Sequence, residues 1–437
     1  MRKRFFKKAL ALTLASTMAF SMVGCGSSKD SSEGKSDDGT ITLNVWHQWS
    51  NDTNELKSRY EEAVKAYEKE NPKVKIKTET LDTEAYKTKI NAEFAGDAKG
   101  IDVFYWWGAG TAKKLVDAGK VMPLDDYITD EVKSNMMEGS TSAFEYDGKL
   151  YSVPMFSWYM TLFCNKALFE KAGAKLPNTY DELADAVKKL EKLKGVTPMA
   201  AGAKDGWNAA FVYQALALRE VGATGVNEML SGKKEFGDEG YTKAAEKVKD
   251  LYEMGAFGDN PLEQGNDDAN AAFENGKAAM RIMGSWFANN VYTDKAATVK
   301  PEDVVALKIP TISDGKGEAT DYCGGFVESF WVNNNTKYKE EAAKFCIYIN
   351  EKMGVASYET GSGFSGWKTK ADESKLNPLF IQIKDLLSEG KQGVLAWDTS
   401  LEAEPAAVHN EQVQTLFADG ADVKAFIEEH KAAINGK

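Results

Sequence analysis

Between Thr40 and Ala118 the chain alternates strand-like and helix-like stretches at a spacing that few architectures accept. Ile41, Leu43 and Val45 recur every second residue, the period of a strand with one face in a core. Asp52 and Glu55 have the spacing of a capping box ahead of a helix. Leu56, Tyr60, Ala63, Val64 and Tyr67 then fall on one helical stripe, which Asn71-Pro72 ends. Val74, Ile76 and Thr78 predict a second strand, Tyr86, Ile90 and Phe94 a second helix, and residues 102–107 a third strand. A short helix follows over 112–118, with Gly119 suited to its C-terminal end. Strand and helix in this order predict an α/β fold: a mostly parallel sheet with helices on both faces. Ligands of such sheets bind beyond the carboxyl ends of the strands. That singles out the loops 46–50 and 106–110.

The pattern resumes after Tyr151. Residues 159–164, 197–200, 278–283 and 326–332 read as strands, and Thr179-x-x-Glu182 is another capping box. A chain of 437 residues exceeds what one core usually holds, so two domains are expected.

The first residues follow a different logic. Arg2, Lys3, Arg4, Lys7 and Lys8 are five cations without an acid, and an apolar stretch from Ala9 to Val23 follows. It is shorter than the roughly 20 residues of a spanning helix, so residues 1–24 read as a secretory signal peptide. Met22-Val23-Gly24-Cys25 resembles a bacterial lipobox, which makes Cys25 the expected lipidation site; Met stands where Leu is usual. Residues 25–39 read as the lipidated Cys and a flexible tether of Gly, Ser, Lys and acidic residues. The expected location is the extracytoplasmic face of the cell membrane, by a lipid anchor.

Several function classes are excluded or weakened. Removing the five signal cations from a net charge of −12 leaves −17, a charge that repels phosphates, so no nucleic-acid partner is expected. No phosphate-cradling G-x-x-x-x-G-K-[ST] loop, G-x-S-x-G elbow or H-E-x-x-H helix is present. The three histidines, His47, His409 and His430, are far apart, and Cys164, Cys323 and Cys346 read as small buried hydrophobes. No catalytic residue, metal or cofactor is therefore assigned. A paired-carboxylate glycosidase has no fixed spacing and stays open.

The positive signal is aromatic. Ten tryptophans are present, and many lie beside small or polar residues where strands end. The segments are Trp46-His47-Gln48-Trp49, Trp106-Trp107-Gly108, Phe156-Ser157-Trp158, Gly206-Trp207, Ser285-Trp286, Phe364-Ser365-Gly366-Trp367 and Trp397-Asp398. A pyranose has an apolar C–H face that a flat ring covers at little entropic cost, and a hydroxyl rim that carboxylates bind. Any single Trp is as readily core packing. Asp52 already has a role as a helix cap, and Asp102 as a strand-end acceptor; Asp398 has no such role. Residues 266–270 read as a helix start rather than a calcium loop.

The order of several segments resembles the extracellular solute-binding protein family 1, the sugar-binding components of ABC importers. They are Ile41–Trp46, Tyr67–Pro72, Asp102-Val103, Leu124–Tyr127, Asp147–Pro154, Asn165–Phe169 with Pro177, Phe273–Met280 and Gly284–Trp286. The resemblance implies a periplasmic-binding-protein type II fold, two α/β lobes joined by a multi-strand hinge with the ligand between them. Lobe 1 would take residues 40–153 and about 327–360, and lobe 2 about 158–322 and about 365–437. Crossings would lie near 153–158, 323–327 and 358–364. Trp46, His47, Trp49, Asp52, Trp106 and Trp107 would wall the first lobe, and Trp207, Trp286 and Asp398 the second. Trp158, Phe364 and Trp367 are expected among the ligand-binding residues as well. Gly324-Gly325 would let the backbone approach the ligand. Residues 395–398 with His409 and Gln412 resemble the branch that binds raffinose and related oligosaccharides. The implied partners are a carbohydrate ligand, the permease subunits of an ABC transporter and the membrane through the lipid anchor, with a monomeric protein. A secreted glycoside-active enzyme, a carrier of a non-sugar solute such as a polyamine, and a surface adhesin are the alternatives.

Overall fold

In the computed structural model, residues 39–51 and 55–436 are described. The signal segment, Cys25, the tether through 38 and Asp52 lie outside them. Among the described residues twelve strands are formed: β1 Ile41–His47, β2 Val74–Thr80, β3 Val103–Trp107, β4 Glu145–Tyr146, β5 Lys149–Leu150 and β6 Phe156–Asn165, then β7 Thr197–Met199, β8 Ala278–Gly284, β9 Val304–Leu307, β10 Asp321–Val332, β11 Phe364–Ser365 and β12 Gln392–Val394. The alternation of apolar residues in 41–45 and the stripe from Leu56 become β1 and the helix Glu55–Glu70. The capping box at Thr179 is formed, and the helix Tyr180–Leu190 follows it.

One sheet runs through the molecule in the order β2-β1-β3-β10-β6-β8-β7, with β4 and β5 a separate hairpin. β1 is parallel to β2 and β3, and β7 is parallel to β8. The joints β3–β10, β10–β6 and β6–β8 are antiparallel. The expected mostly parallel sheet is therefore a mixed one. The correction has a simple cause: two long strands, β6 and β10, run from one half of the sheet into the other. No local periodicity reports that.

Two cores flank the joint. The first contains Leu43, Val45, Phe104, Tyr105, Phe330, Trp331, Phe345 and Met353. The second contains Leu162, Phe163, Leu183, Phe211, Leu216, Met280, Ile282 and Phe426. From the last turn of the helix Lys339–Glu359 onward, the chain passes between the cores more than once. Tyr358 packs in the second core, Trp367 returns to the first, and Leu376 and Leu379 re-enter the second. The three described cysteines are free and buried. Among the described residues no helix is long and apolar enough to cross a membrane.

Candidate functional site

The carboxyl end of β3 carries Trp107 to the seam between the two cores. Its directly paired residue on β10 is Glu328. Here β10 shifts register between Phe326 and Glu328, at the point where it leaves β6 for β3. Such an irregularity re-aims a side chain out of the alternating pattern. Trp107 Nε1 donates to Glu328 Oε1 at 3.3 Å. Burial raises the Glu328 carboxyl to about 7, although Tyr105, Trp107 and Lys87 all favour its ionised form.

Opposite stands a wall of four rings. Trp158 stacks on Phe211 at 5.3 Å and meets Trp286 edge-on at 5.1 Å. Trp207 lies 5.4 Å from Phe211 and 6.5 Å from Trp286. Trp158 and Phe211 are buried, while Trp207 and Trp286 keep partly open faces. Local bonds hold Trp207 in place. It is the second residue of the helix Gly206–Leu230, whose Asn208 faces the buried Arg281 guanidinium at 3.4 Å. Arg281 Nη2 also donates to Asn266 Oδ1 at 2.9 Å, and Asn266 N donates to Asp205 Oδ2 at 2.6 Å. Burial raises the Asp205 carboxyl, and Glu84 on the opposing side adds to the shift.

Asp398 reaches the same seam on the short helix Trp397–Ser400. Burial raises its carboxyl, and Lys87 opposes the shift. A buried relay fixes this helix. Trp397 N donates to Gln214 Oε1 at 3.4 Å, Gln214 Nε2 meets His409 Nε2 at 2.9 Å, and His409 Nδ1 meets His430 Nε2 at 2.9 Å. His430 Nδ1 donates to Phe426 O at 2.9 Å, so His409 Nδ1 is the donor to His430 and Gln214 the donor to His409. On the facing side, Thr111 Oγ1 donates to the Asp398 and Thr399 carbonyls, each at 3.3 Å. Gly110 lies so close that a Cβ would fall 2.2 Å from Ser400 O. The two halves are thus in contact, with indoles and carboxylates facing one another.

Several expected wall residues lie elsewhere. His47, Trp49 and Trp367 are 1%, 5% and 1% exposed, too little to offer a ring face. His47 and Trp49 cluster with Tyr60, Tyr105 and Phe330 in the first core. Trp49 N donates to His47 Nδ1 at 3.2 Å, and burial holds the imidazole down at about 3. Trp367 Nε1 donates to Pro154 O at 2.6 Å. Trp46 and Trp106 are also buried, with Trp106 behind Trp107 at 5.5 Å. Phe364 stacks on Phe380 at 4.6 Å. His409, proposed with residues 395–398, is buried in the relay and serves from behind. Gly324 and Gly325 have φ of 135° and 154°, but their close neighbours are protein. A Cβ on Gly324 would lie 2.0 Å from Trp158 O, and one on Gly325 2.6 Å from Leu395 Cδ2. Gly324 lets β10 and β6 pass closely, and Gly325 makes room for Leu395.

Trp107, Trp207, Trp286 and Asp398 are the expected residues that the fold brings together, while Trp158, 4% exposed, is packed against Phe211 and Trp286 and offers no open face. Lys87, Glu84, Asp205, Phe211 and Glu328 join them unannounced. Glu328 had a visible signal, one acid within the apolar run Phe326–Val332. Lys87 had none, being one of many charges on a helix.

The description "Bacterial extracellular solute-binding protein" belongs to a family model that matches residues 50–355. A multiple sugar-binding protein of Streptococcus mutans is 24% identical over 395 residues, 86% of each chain. A galactooligosaccharide-binding protein of Bacillus subtilis is 28% identical over 384 residues, 84% of this chain and 82% of that one. A structure from work on xylan utilization by the thermophilic bacterium Caldanaerobius polysaccharolyticus is 36% identical. It covers 90% of this chain and 99% of that one, with a TM-score of 0.85.

Proposed function

The chain belongs to the bacterial extracellular solute-binding protein family, and from that premise we propose that it captures a neutral oligosaccharide for an ABC import permease. Members of this family work outside the cytoplasm and bind rather than transform their solutes. The observation that carries the sugar reading is the pair of indole surfaces across one seam. Trp107 stands on one side, Trp207 and Trp286 stand on the other, and the carboxyls of Glu328, Asp205 and Asp398 lie among them. The rings cover the C–H faces of pyranoses, and the carboxyls bind the hydroxyl rim. Curated relatives include a multiple sugar-binding protein and a galactooligosaccharide-binding protein, and a 36% identical structure comes from work on xylan utilization, so xylan-derived oligosaccharides are the first to try.

The two cores act as lobes, and the closed form is the one a permease selects. The protein acts as a monomer, and a lipid on Cys25 retains it at the membrane; labelled palmitate enters the wild type and not Cys25→Ser.

Isothermal titration against xylo-, gluco-, galacto-, manno- and fructo-oligosaccharides tests the reading, with the sugars analysed afterwards. One-to-one binding of an unchanged sugar supports it. No binding across the panel, or a cleaved sugar, overturns it.

A further inference from the structure

The seam holds one ammonium that touches both sides. Lys87 projects from the helix Thr83–Ala95 of the first side. Its Nζ lies over the Trp107 ring at 5.2 Å and over the Trp207 ring, on the opposite side, at 5.9 Å. Its hydrogen-bond acceptor among the described residues is Glu84 Oε1, at 3.1 Å. The same charge acts on the carboxyls of Glu328 and Asp398. Indole faces surrounded by carboxylates make a box that recognises organic cations. In this protein the box is already filled by its own lysine.

We propose that Lys87 is the specificity-determining residue of the cleft, occupying the cation box between Trp107 and Trp207 and thereby admitting neutral hydroxyl-rich chains while rejecting polyamines. The inference rests on the oligosaccharide reading. An ammonium has three donors, and Glu84 takes one, which leaves two for ligand hydroxyls. A cationic ligand meets repulsion from the resident ammonium, which already lies over one face of each ring. The selection is thus both attractive and repulsive. Lys87 also supplies positive charge to the carboxyls of Glu328 and Asp398, which with Glu84 and Asp205 would otherwise make the seam acidic.

The test titrates wild type, Lys87→Met and Lys87→Arg with two probes, the oligosaccharide that binds wild type best and spermidine. Lys87 lies on the surface of its helix with its side chain 29% exposed, so the variants fold; Lys87→Gln serves as a second neutral variant. The expected result is a fall of at least tenfold in the ratio of sugar affinity to spermidine affinity in Lys87→Met and Lys87→Gln, with the ratio restored in Lys87→Arg. A ratio that changes less than tenfold in both neutral variants overturns the assignment of Lys87 while leaving the oligosaccharide reading intact. A wild type that binds no sugar overturns both.

Discussion

Trp207 and Trp367 each follow a glycine, and burial separates their roles: Trp207 keeps a partly open face and Trp367 is enclosed. Trp367 is 1% exposed, with its Nε1 bonded to Pro154 O. Replacing it with Ala leaves a large cavity and an unsatisfied carbonyl, a loss of about 3–5 kcal/mol in urea unfolding. Glu328 illustrates a different effect of burial. Its carboxyl stands at about 7 in the folded protein against an ordinary value of 4.5. The folded state therefore holds a proton that the unfolded state releases. The resulting stability is complete below pH 4.5 and is lost as pH rises through 7. Glu328→Gln lacks this term. Relative to wild type it gains stability between pH 4.5 and 7, by up to about 3 kcal/mol, as read from chemical unfolding at each pH. A constant difference between the two proteins would contradict the assignment. At this scale the sequence displayed the right residue types but not their places. Trp49 and Trp207 both follow polar or small neighbours, and only the position of β10 and Phe330 decides that the first is covered.

Elements were more legible than residues. The periods of 41–45 and 56–67, the Asn71-Pro72 stop and the Thr179 capping box each specify structure from within a few residues, and they appear where the pattern places them. The antiparallel joints were hidden, because pairing of β10 with β3 and β6 spans more than 160 residues. Gly324 shows how tight the joint is. With φ at 135° and Trp158 O in the place of a Cβ, Gly324→Ala must separate β10 from β6. A loss of at least about 2 kcal/mol in stability is expected, combining backbone strain with a broken approach. The relay behind Trp397 is a second element-scale device. Burial holds His430 down at about 4 and His409 well below its ordinary value. Both are neutral in the folded state, whereas the unfolded chain takes protons below about pH 6.5. Their contribution is complete above that pH and lost as pH falls towards 4. The stability difference between wild type and a His409→Leu/His430→Leu double variant should therefore shrink from pH 6.5 to 4. A difference that stays flat would contradict neutral histidines.

At the scale of the whole molecule, one continuous sheet and two cores make the seam. β6 and β10 belong to both halves, so the sheet passes unbroken from one core to the other. Tryptophans and carboxyls reach the seam from six separate stretches of chain, and that convergence is what a binding cleft requires. Trp207 is the sharpest probe of it. It stands at a helix start with a partly open face, braced from behind by Phe211 and the Arg281 network. The decisive measurement is a side-by-side isothermal titration of wild type and Trp207→Ala with the oligosaccharide that binds wild type best. The predicted result is a dissociation constant weakened at least about tenfold with an unchanged unfolding midpoint, as expected for a stacking hot spot. Equal affinity in the two proteins would place the sugar away from the indole wall and contradict the cleft as the binding site.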